Sequence, residues 1–313
     1  MIGGPVFVLT MHRSGGTALA RALNRHPDVM IWGEHAGFIN KFAELDEVIG
    51  RYPRLVQPLA ERGLSDELRL GKFQPEGFDP WTNPFEQAEW RDWCRRFLEA
   101  TFRRDLHPGQ RWGFKEVRYH SVATARFLTT LFPDGRFVLL RRDLPQLVVS
   151  NMLAPWSIGR LDQTGAAASE AEAVAAVFDC AYALTVVDRG LTDIAAALPG
   201  LCRVVTHEQM RTPAALYPSL FAFLDLPQWP AMMDEVCEAA ALPLGVTNPD
   251  WQRGHISRTL VLRVLPQALA AAQADLAARG PDLGRLKRLA ATGRYSFLVG
   301  DHELVGTNLS SMF

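Results

Sequence analysis

The first 24 residues contain the feature that most restricts how this chain can fold. A short apolar run, Pro5–Leu9, is typical of a buried β-strand. It leads into a turn rich in glycine and small residues, Thr10–Thr17, and then into a helical run, Ala18–Asn24. A turn of this kind between a strand and a helix points backbone N–H groups and the positive end of the helix dipole at one place. The segment therefore predicts an anion-binding loop for a phosphorylated or nucleotide ligand.

Strand-like and helix-like runs alternate along most of the remaining chain. The strand candidates are Val29–Trp32, Arg111–Lys115, Arg136–Leu140 and Leu201–Thr206, and the helix candidates between and after them are Ser121–Phe132, Leu144–Leu153 and 169–198. Strands separated by helices join through right-handed crossovers into a parallel sheet. The sequence predicts an α/β fold, a P-loop-like parallel β-sheet flanked by helices on both faces, in a single domain over 1–313.

Residues 45–110 interrupt this alternation and read as a helical insertion that caps the acceptor side. The segment is rich in proline and tryptophan, and its clearest helix lies at about 86–104. One side of that helix carries Trp90, Trp93, Phe97, Thr101 and Phe102. Large aromatic side chains usually belong to a core, but Trp81, Phe85, Trp90 and Trp93 could also form the wall of an acceptor site. We expect the arginines of this helix to lie on a solvent-exposed face rather than to contact an anionic acceptor.

Composition excludes several classes of protein. The chain has 313 residues, 48% of them hydrophobic, and a formal net charge of −1, whereas nucleic-acid-binding proteins usually carry a basic excess. Its four cysteines are widely spaced, which favours reduced thiols over a disulfide framework or a zinc site. The start of the sequence shows no signal-peptide pattern, and the apolar stretch near Ala173–Val187 is too short to span a membrane. We expect a cytoplasmic protein without a nucleic-acid partner or a membrane span, compatible with a homodimer.

The turn after the first strand differs from the P-loop of nucleoside triphosphatases. That motif reads G-x-x-x-x-G-K-[ST]. Here the first glycine is absent, no lysine precedes Thr17, and the cation is Arg13, at the start of the turn. An ATP-dependent kinase is therefore disfavoured, although it stays open as an alternative together with a non-catalytic nucleotide-binding protein.

The same turn resembles the 5′-phosphosulfate-binding loop of sulfotransferases that use 3′-phosphoadenosine 5′-phosphosulfate (PAPS). In that family a lysine or arginine precedes Ser-Gly, and small hydroxyl residues follow. The resemblance implies a cofactor-binding segment made of His12, Arg13, Ser14, Gly15, Gly16, Thr17 and Ala18. Arg13 would also place positive charge on the transferring group.

A second segment, Pro133–Ser150, resembles the 3′-phosphate motif of the same family. That motif is a buried strand ending in arginine, followed by Asp or Asn and a helix with serine eight residues after the arginine. Arg142 and Ser150 have this spacing. The arginine would present several donors to one phosphate, and the serine hydroxyl would add another. Arg141 is the competing candidate, and pairing of Arg142 with Asp143 is the structural alternative.

Two later segments match the family less well. Arg253-Gly254-His255 resembles the loop that closes over the 3′-phosphate, so Arg253 is a further candidate for cofactor binding. Val204–Met210 resembles a strand and turn in which the family has tyrosine at the position of His207. The resemblance covers about 5–40 and 111–260 and is closest to the carbohydrate-type and bacterial branches.

The family resemblance also suggests the catalytic residues. Sulfuryl transfer needs a base for the acceptor, positive charge on the transferring group and stabilisation of the leaving phosphate, without a metal. Glu34 follows the second strand, where the carbohydrate and protein-tyrosine branches place their general base, and His35 is the rival. Lys115, like Arg118, could meet sulfuryl or acceptor oxygens, and a network with Glu116 is the alternative for both. The expected activity is sulfuryl transfer from PAPS to a hydroxyl of a small-molecule, sugar or lipid-like acceptor.

Overall fold

The computed structural model describes residues 4–51, 86–154, 169–241, 256–292 and 295–298. Five parallel strands form one sheet in the order β2-β3-β1-β4-β5. Their bounds are Val6–Thr10 (β1), Val29–Trp32 (β2), Arg111–Glu116 (β3), Arg136–Arg141 (β4) and Cys202–Thr206 (β5). Each strand begins and ends within one residue of its predicted position, so the predicted α/β parallel sheet is confirmed.

Helices cover both faces of this sheet. Their bounds are Gly16–Leu23 (α1), Ile39–Arg51 (α2), Gln87–Phe102 (α3), Val122–Leu131 (α4), Leu144–Met152 (α5), Glu170–Ala197 (α6), Pro213–Phe223 (α7), Pro230–Ala241 (α8), Arg258–Arg279 (α9) and Leu283–Ala291 (α10). Side chains alternate between the two faces along a strand. Val6 and Val8 of β1 pack with α1, α7 and α8, while Phe7 and Leu9 pack with the other helices. Two 3₁₀ turns, Gln209–Arg211 and Ser296–Leu298, complete the described elements.

The strand order creates a crevice between β1 and β4. After β1 the chain crosses to β2 at one edge of the sheet, and after β4 it crosses to β5 at the other edge. The two connections start on opposite faces, through α1 and α5 respectively. In open α/β sheets, ligands bind outside the carboxyl ends of the strands at such a switch point.

The junction between β4 and α5 is fixed by local sequence. Asp143 is the N-cap residue of α5, and its carboxylate accepts a hydrogen bond from Gln146 N at 3.3 Å. Pro145 lies in the first turn, where a missing N–H breaks no helical hydrogen bond. The helix therefore starts directly after Arg142, which lies between β4 and α5 at the mouth of the crevice.

The described part of the predicted insertion belongs to the crossover from β2 to β3. It contains α2, which begins at Ile39, before the predicted boundary at residue 45, and α3. Both helices contribute buried side chains to the core cluster on one face of the sheet, and α3 contacts β3. Residues 52–85, which include Trp81 and Phe85, lie outside the described residues.

The aromatic side of α3 is only partly buried. Cys94, Leu98 and Phe102 are buried, whereas Trp93 and Phe97 are 45% and 50% exposed. The buried positions follow a spacing of four residues, as expected for a stripe that packs on the core.

One helix within the described segments, Arg258–Arg279 (α9), is long and apolar enough to cross a membrane by length and composition alone. In the fold it packs on α6 through a buried row of side chains, Val261, Val264, Leu265, Ala268 and Ala272. A core helix of a globular protein meets the same criterion, so this observation does not identify a span.

Candidate active site

A cavity of about 450 Å³ lies at the carboxyl ends of the central strands. Its lining combines the loop after β1, residues at or just after the ends of β2, β3, β4 and β5, Arg21 of α1 and Ser150 of α5. The lining residues are Thr10, Met11, His12, Arg13, Gly15, Gly16, Thr17, Arg21, Glu34, Lys115, Val117, Arg142, Ser150 and His207. The structure thus brings the two predicted anion-binding segments, which are far apart in sequence, to one cavity.

The backbone of the loop after β1 is shaped by two residues in the left-handed region. Arg13 has φ = 67° and Gly15 has φ = 99°. Helix α1 begins at Gly16 without a side-chain cap on its first turn. Because the first N–H groups of a helix have no intrahelical acceptor, those of Gly16 and Thr17 can serve an anion in the cavity.

Gly16 is required by close packing rather than by its torsion angles. A Cβ atom at this position would lie 2.8 Å from Thr10 Oγ1, 2.9 Å from Thr10 Cγ2 and 3.2 Å from Lys115 Cδ. The turn can therefore pass over the end of β1 only without a side chain at this point. This brings the start of α1 down against the strand.

Two residues of the predicted cofactor-binding segment do not reach the cavity. Ser14 is fully buried, and its hydroxyl donates to Met11 O at 2.6 Å while its N–H donates to the same oxygen at 3.1 Å. Ala18 is buried under the helix, and its N–H donates to Gly15 O at 2.9 Å. Both residues stabilise the turn from inside, and neither lines the cavity.

Arg142 connects the two anion-binding segments directly. Its Nη1 donates to Arg13 O at 3.0 Å, and its Nε is buried and has no hydrogen-bond partner among the described residues. Burial and the positive charge of Arg142 both lower the pKa of Arg13. The two guanidinium groups are thus close enough to repel each other, and an anion between them would relieve that repulsion. Ser150 lines the same cavity two turns into α5.

Arg141 points away from this cavity. Its Nε and Nη2 both donate to the Asp188 carboxylate, at 2.7 Å each. This bidentate ion pair joins the end of β4 to α6. Of the two adjacent arginines, Arg142 is the one that faces the loop after β1.

His12 is held in one orientation by α5 and by the C-terminal turn. Asn151 Nδ2 donates to His12 O at 3.3 Å and to Leu147 O at 2.9 Å, so its Oδ1 is left as an acceptor. His12 Nδ1 lies 2.7 Å from that Oδ1 and must be the donor. Phe297 stacks on the imidazole with ring centres 5.6 Å apart. Burial lowers the pKa of His12, which favours a neutral ring whose Nε2 is an acceptor.

Glu34 lies in the cavity between two cations. Lys115 Nζ donates to its Oε1, and Arg118 Nη1 donates to its Oε2 at 3.2 Å. Burial raises the pKa of the Glu34 carboxyl, but the hydrogen bonds and charges of Lys115 and Arg118 outweigh burial, so the pKa lies below its ordinary value. The carboxylate is therefore ionised at neutral pH and already paired. Glu34 thus pairs with both an arginine and a lysine.

His35, the rival candidate for the base, is not among the residues that line the cavity. Its Nε2 lies 2.6 Å from Tyr119 Oη, and its ring contacts Phe38, Phe102 and Phe114 with centres 4.6–5.2 Å apart. Only 11% of its side chain is exposed. The structure places His35 in an aromatic cluster below the cavity, so the expectation of a catalytic role for it is not supported by its position.

Arg253 lies outside the described residues. Five lining residues were not predicted as site residues, and two of these, Arg21 and His207, have titratable side chains. Arg21 is one helical turn after Thr17, so spacing along α1 could have identified it. His207 follows β5 at the same edge of the sheet, and its Cδ2 would lie 3.2 Å from a Cβ on Gly15. Burial lowers the pKa of His207, and the charge of Arg142 lowers it further.

The described part of the chain contains no group of three His, Cys, Asp or Glu side chains arranged to hold a metal ion. Among the described residues, the lining of the cavity offers cations, backbone donors and the paired carboxylate of Glu34.

Comparison with known proteins gives one match to a family model. The model described as "Sulfotransferase family" matches residues 5–231, well over half of the chain. No curated protein matches the sequence.

Solved structures of sulfotransferases are also similar to this chain. The sulfotransferase domain from the curacin biosynthetic pathway is 16% identical with a TM-score of 0.46, over 89% of this chain and 99% of that one. A sulfotransferase from Alicyclobacillus acidocaldarius is 16% identical with a TM-score of 0.46, over 92% and 96%. Mouse sulfotransferase SULT7A1, solved with PAP, is 11% identical with a TM-score of 0.41, over 92% and 88%.

Proposed function

Because this chain belongs to the sulfotransferase family, we propose that it transfers a sulfuryl group from PAPS to a hydroxyl group of an acceptor. The observation that carries the proposal is the single cavity lined by both Gly16–Thr17 and Arg142. A nucleotide with phosphate at both its 3′ and 5′ positions needs two such anion sites within one molecule's length. Family membership supports the sulfotransferase class, and the cavity supports the choice of donor.

The lining residues suit the donor in number and kind. Among the described lining residues, Arg13, Arg21, Lys115 and Arg142 are cations and Glu34 is the carboxylate. The N–H groups at the start of α1 and the Thr17 hydroxyl would hold the 5′-phosphate. Arg142, whose Nε has no hydrogen-bond partner within the described part of the chain, and Ser150 would hold the 3′-phosphate. When bound, PAPS supplies an activated sulfuryl group, and the protein's own work is to position and neutralise charge.

We assign to Glu34 the role of accepting the proton of the acceptor hydroxyl. It is the carboxylate among the lining residues, and its pairing keeps it deprotonated at neutral pH. Lys115 Nζ reaches Glu34 and also lines the cavity, so it can turn from the carboxylate to a sulfuryl oxygen. We propose a small-molecule, sugar or lipid-like acceptor whose hydroxyl enters beside Glu34.

Isothermal titration calorimetry tests the donor class. We expect 3′-phosphoadenosine 5′-phosphate (PAP) to bind tightly, ADP and ATP to bind far more weakly, and magnesium to change none of these affinities. Tighter binding of ATP, or a requirement for magnesium, would reject PAPS as the donor and favour a kinase. Equal binding of ADP and PAP would show that the cavity does not read the 3′-phosphate.

A further inference from the structure

The carboxylate of Glu116, the last residue of β3, is fully buried beneath the cavity and does not line it. It accepts four hydrogen bonds. Oε1 accepts from Val117 N at 2.8 Å and from Arg118 Nη1 at 2.7 Å. Oε2 accepts from His35 N at 3.0 Å and from Gly37 N at 3.1 Å. A buried charge with this many donors is well compensated, and its removal would leave several donors unsatisfied.

The loop that follows Glu34 depends on such an acceptor. Ala36 and Gly37 are consecutive residues in the left-handed region, with φ = 60° and φ = 72°. For alanine this conformation costs about 1–2 kcal/mol relative to the right-handed region. The turn directs the N–H groups of His35 and Gly37 at the same oxygen. An anion that accepts from closely spaced N–H groups stabilises this kind of backbone concavity.

Glu116 also determines where Arg118 lies. Arg118 Nη1 contacts both Glu116 Oε1, at 2.7 Å, and Glu34 Oε2, at 3.2 Å. The same nitrogen therefore bridges the buried carboxylate and the one in the cavity. Glu116 therefore restrains Glu34 in two ways: through the N–H groups of His35 and Gly37, and through the guanidinium group of Arg118 that both carboxylates share.

We propose that Glu116 is the positioning residue for Glu34: it holds the 34–37 loop, and with it the Glu34 carboxylate, against Lys115 and Arg118. The catalytic meaning of this assignment rests on the proposed function, in which Glu34 is the base. The assignment itself concerns the geometry of this chain and can be tested without any donor or acceptor.

The ionisation of Glu34 reports on this geometry. The charged or titratable groups that face it are Lys115 and Arg118 from the end of β3, His12 from the loop after β1, and its neighbour His35. Lys115 and Arg118 lower the pKa of Glu34 only while the loop keeps the carboxylate between them. Release of the loop would move that pKa up towards its ordinary value. Loss of the Glu116 charge with the loop still in place would instead lower it further, because a nearby negative charge would be gone.

Carbon-13 NMR of the glutamate carboxyl groups, with the Glu34 signal assigned by its loss in Glu34→Gln, separates these outcomes. In Glu116→Gln we expect the pKa of Glu34 to rise. We also expect the His35 and Gly37 amides to exchange with solvent about tenfold faster or more, the effect of losing a hydrogen bond to a charged acceptor. An unchanged or lower pKa of Glu34, or unchanged exchange of the two amides, would overturn the proposal.

Asp46→Asn is the matched control. Asp46 is a mostly buried carboxylate that accepts from Arg91 Nε and Nη2 at 2.8 Å each, away from the cavity. The Asp46→Asn substitution should destabilise the fold but leave the pKa of Glu34 and the exchange rates of the His35 and Gly37 amides unchanged. If Asp46→Asn and Glu116→Gln changed these readouts equally, Glu116 would have only a general structural role. If Glu116→Gln does not fold, Glu116→Asp carries the same test, because its carboxylate is retained but is one methylene too short for all four donors. Failure of the wild-type protein to bind PAP would contradict the proposed function without changing these readouts.

Discussion

The two ends of the cavity differ in how their hydrogen-bond donors and charges are paired. At the end formed by Gly16, Thr17 and Arg142, donors face the cavity, and the buried Nε of Arg142 has no partner among the described residues. At the other end, Glu34 is already paired with Lys115 and Arg118, and Arg118 is shared with Glu116. The first end therefore offers hydrogen-bond donors to a ligand, whereas the charges at the second end are already compensated by one another.

This difference indicates a division of work. Donors fixed by the backbone and by a short helix junction need little rearrangement when an anion enters, so that end suits binding. A paired carboxylate has a lowered pKa and becomes a useful base only when one of its cations moves to another partner. We therefore expect substitutions at the first end to change affinity and those at the second to change turnover.

Glu34→Gln is the sharpest test of the division and has the largest expected effect. Loss of a general base typically lowers the rate by about 10²–10⁴-fold. The affinity for PAP should stay near that of the wild type, because Glu34 adds no donor for a phosphate. The measurements are PAP formation from PAPS with a panel of hydroxyl acceptors, and PAP binding by calorimetry.

Glu47→Gln is the control for this substitution. Glu47 is a half-exposed carboxylate on α2 that pairs with Arg51, and its removal should leave turnover unchanged. If Glu34→Gln turned over at the wild-type rate, Glu34 would not be the base, and the proposed division between a binding end and a catalytic end of the cavity would also be wrong.

Arg142→Ala should have the next largest effect, and the effect should be on affinity. A hydrogen bond to a charged group contributes about 1.5–3 kcal/mol, so the dissociation constant for PAP should rise roughly 10- to 150-fold. Arg141→Ala is the matched control because Arg141 pairs with Asp188 outside the cavity. It should lower the melting temperature and leave PAP affinity close to the wild-type value. If Arg141→Ala weakened PAP binding and Arg142→Ala did not, the 3′-phosphate would have to be assigned to Arg141, and our assignment to Arg142 would be wrong.

Gly16→Ala tests whether the backbone end depends on close approach to β1. The added Cβ would meet Thr10 at 2.8–2.9 Å, and overpacking of this kind destabilises a protein by about 1–3 kcal/mol. We expect a lower melting temperature and weaker PAP binding. Thr10→Ala in the same chain removes both contacting atoms and should restore part of each. Because Thr10 Oγ1 has no hydrogen-bond partner within the described residues, this second change breaks no polar contact there.

The sheet could be predicted closely because its strands are short apolar runs bounded by glycine, proline or charged residues. The run Arg136–Leu140 after Pro133-Asp134-Gly135 is an example, and the observed strand extends it only to Arg141. The spacing of Arg142 and Ser150 likewise led to two residues that line the cavity. Strand bounds and residue spacings of this kind depend on neighbouring residues, so they can be predicted from the sequence.

The parts that sequence did not indicate depend on contacts between distant segments. His35 and Glu34 are neighbours, yet one lies in an aromatic cluster and the other in the cavity, because Glu116 and the left-handed turn at Ala36 set the path of the loop. The hydroxyl of Ser14 points to Met11 O for a similar reason, since the turn needs an internal donor. No pattern within either segment shows which way these side chains point.

The smallest expected effect concerns stability and pH at the carboxylate end. The pKa of Glu34 is lower in the folded chain than in the unfolded chain, so its pairing stabilises the fold above the unfolded pKa of about 4.3. That contribution is lost as the pH falls through the lower, folded value. The wild type should therefore melt above Glu34→Gln at pH 6–7, and the gap should narrow as the pH falls below about 4. Because 35% of the Glu34 side chain is exposed, we expect a small gap that shrinks further in high salt. A gap of the same size at pH 3 and at pH 7 would show that Gln fails by packing, and that the carboxylate charge is not what Lys115 and Arg118 require.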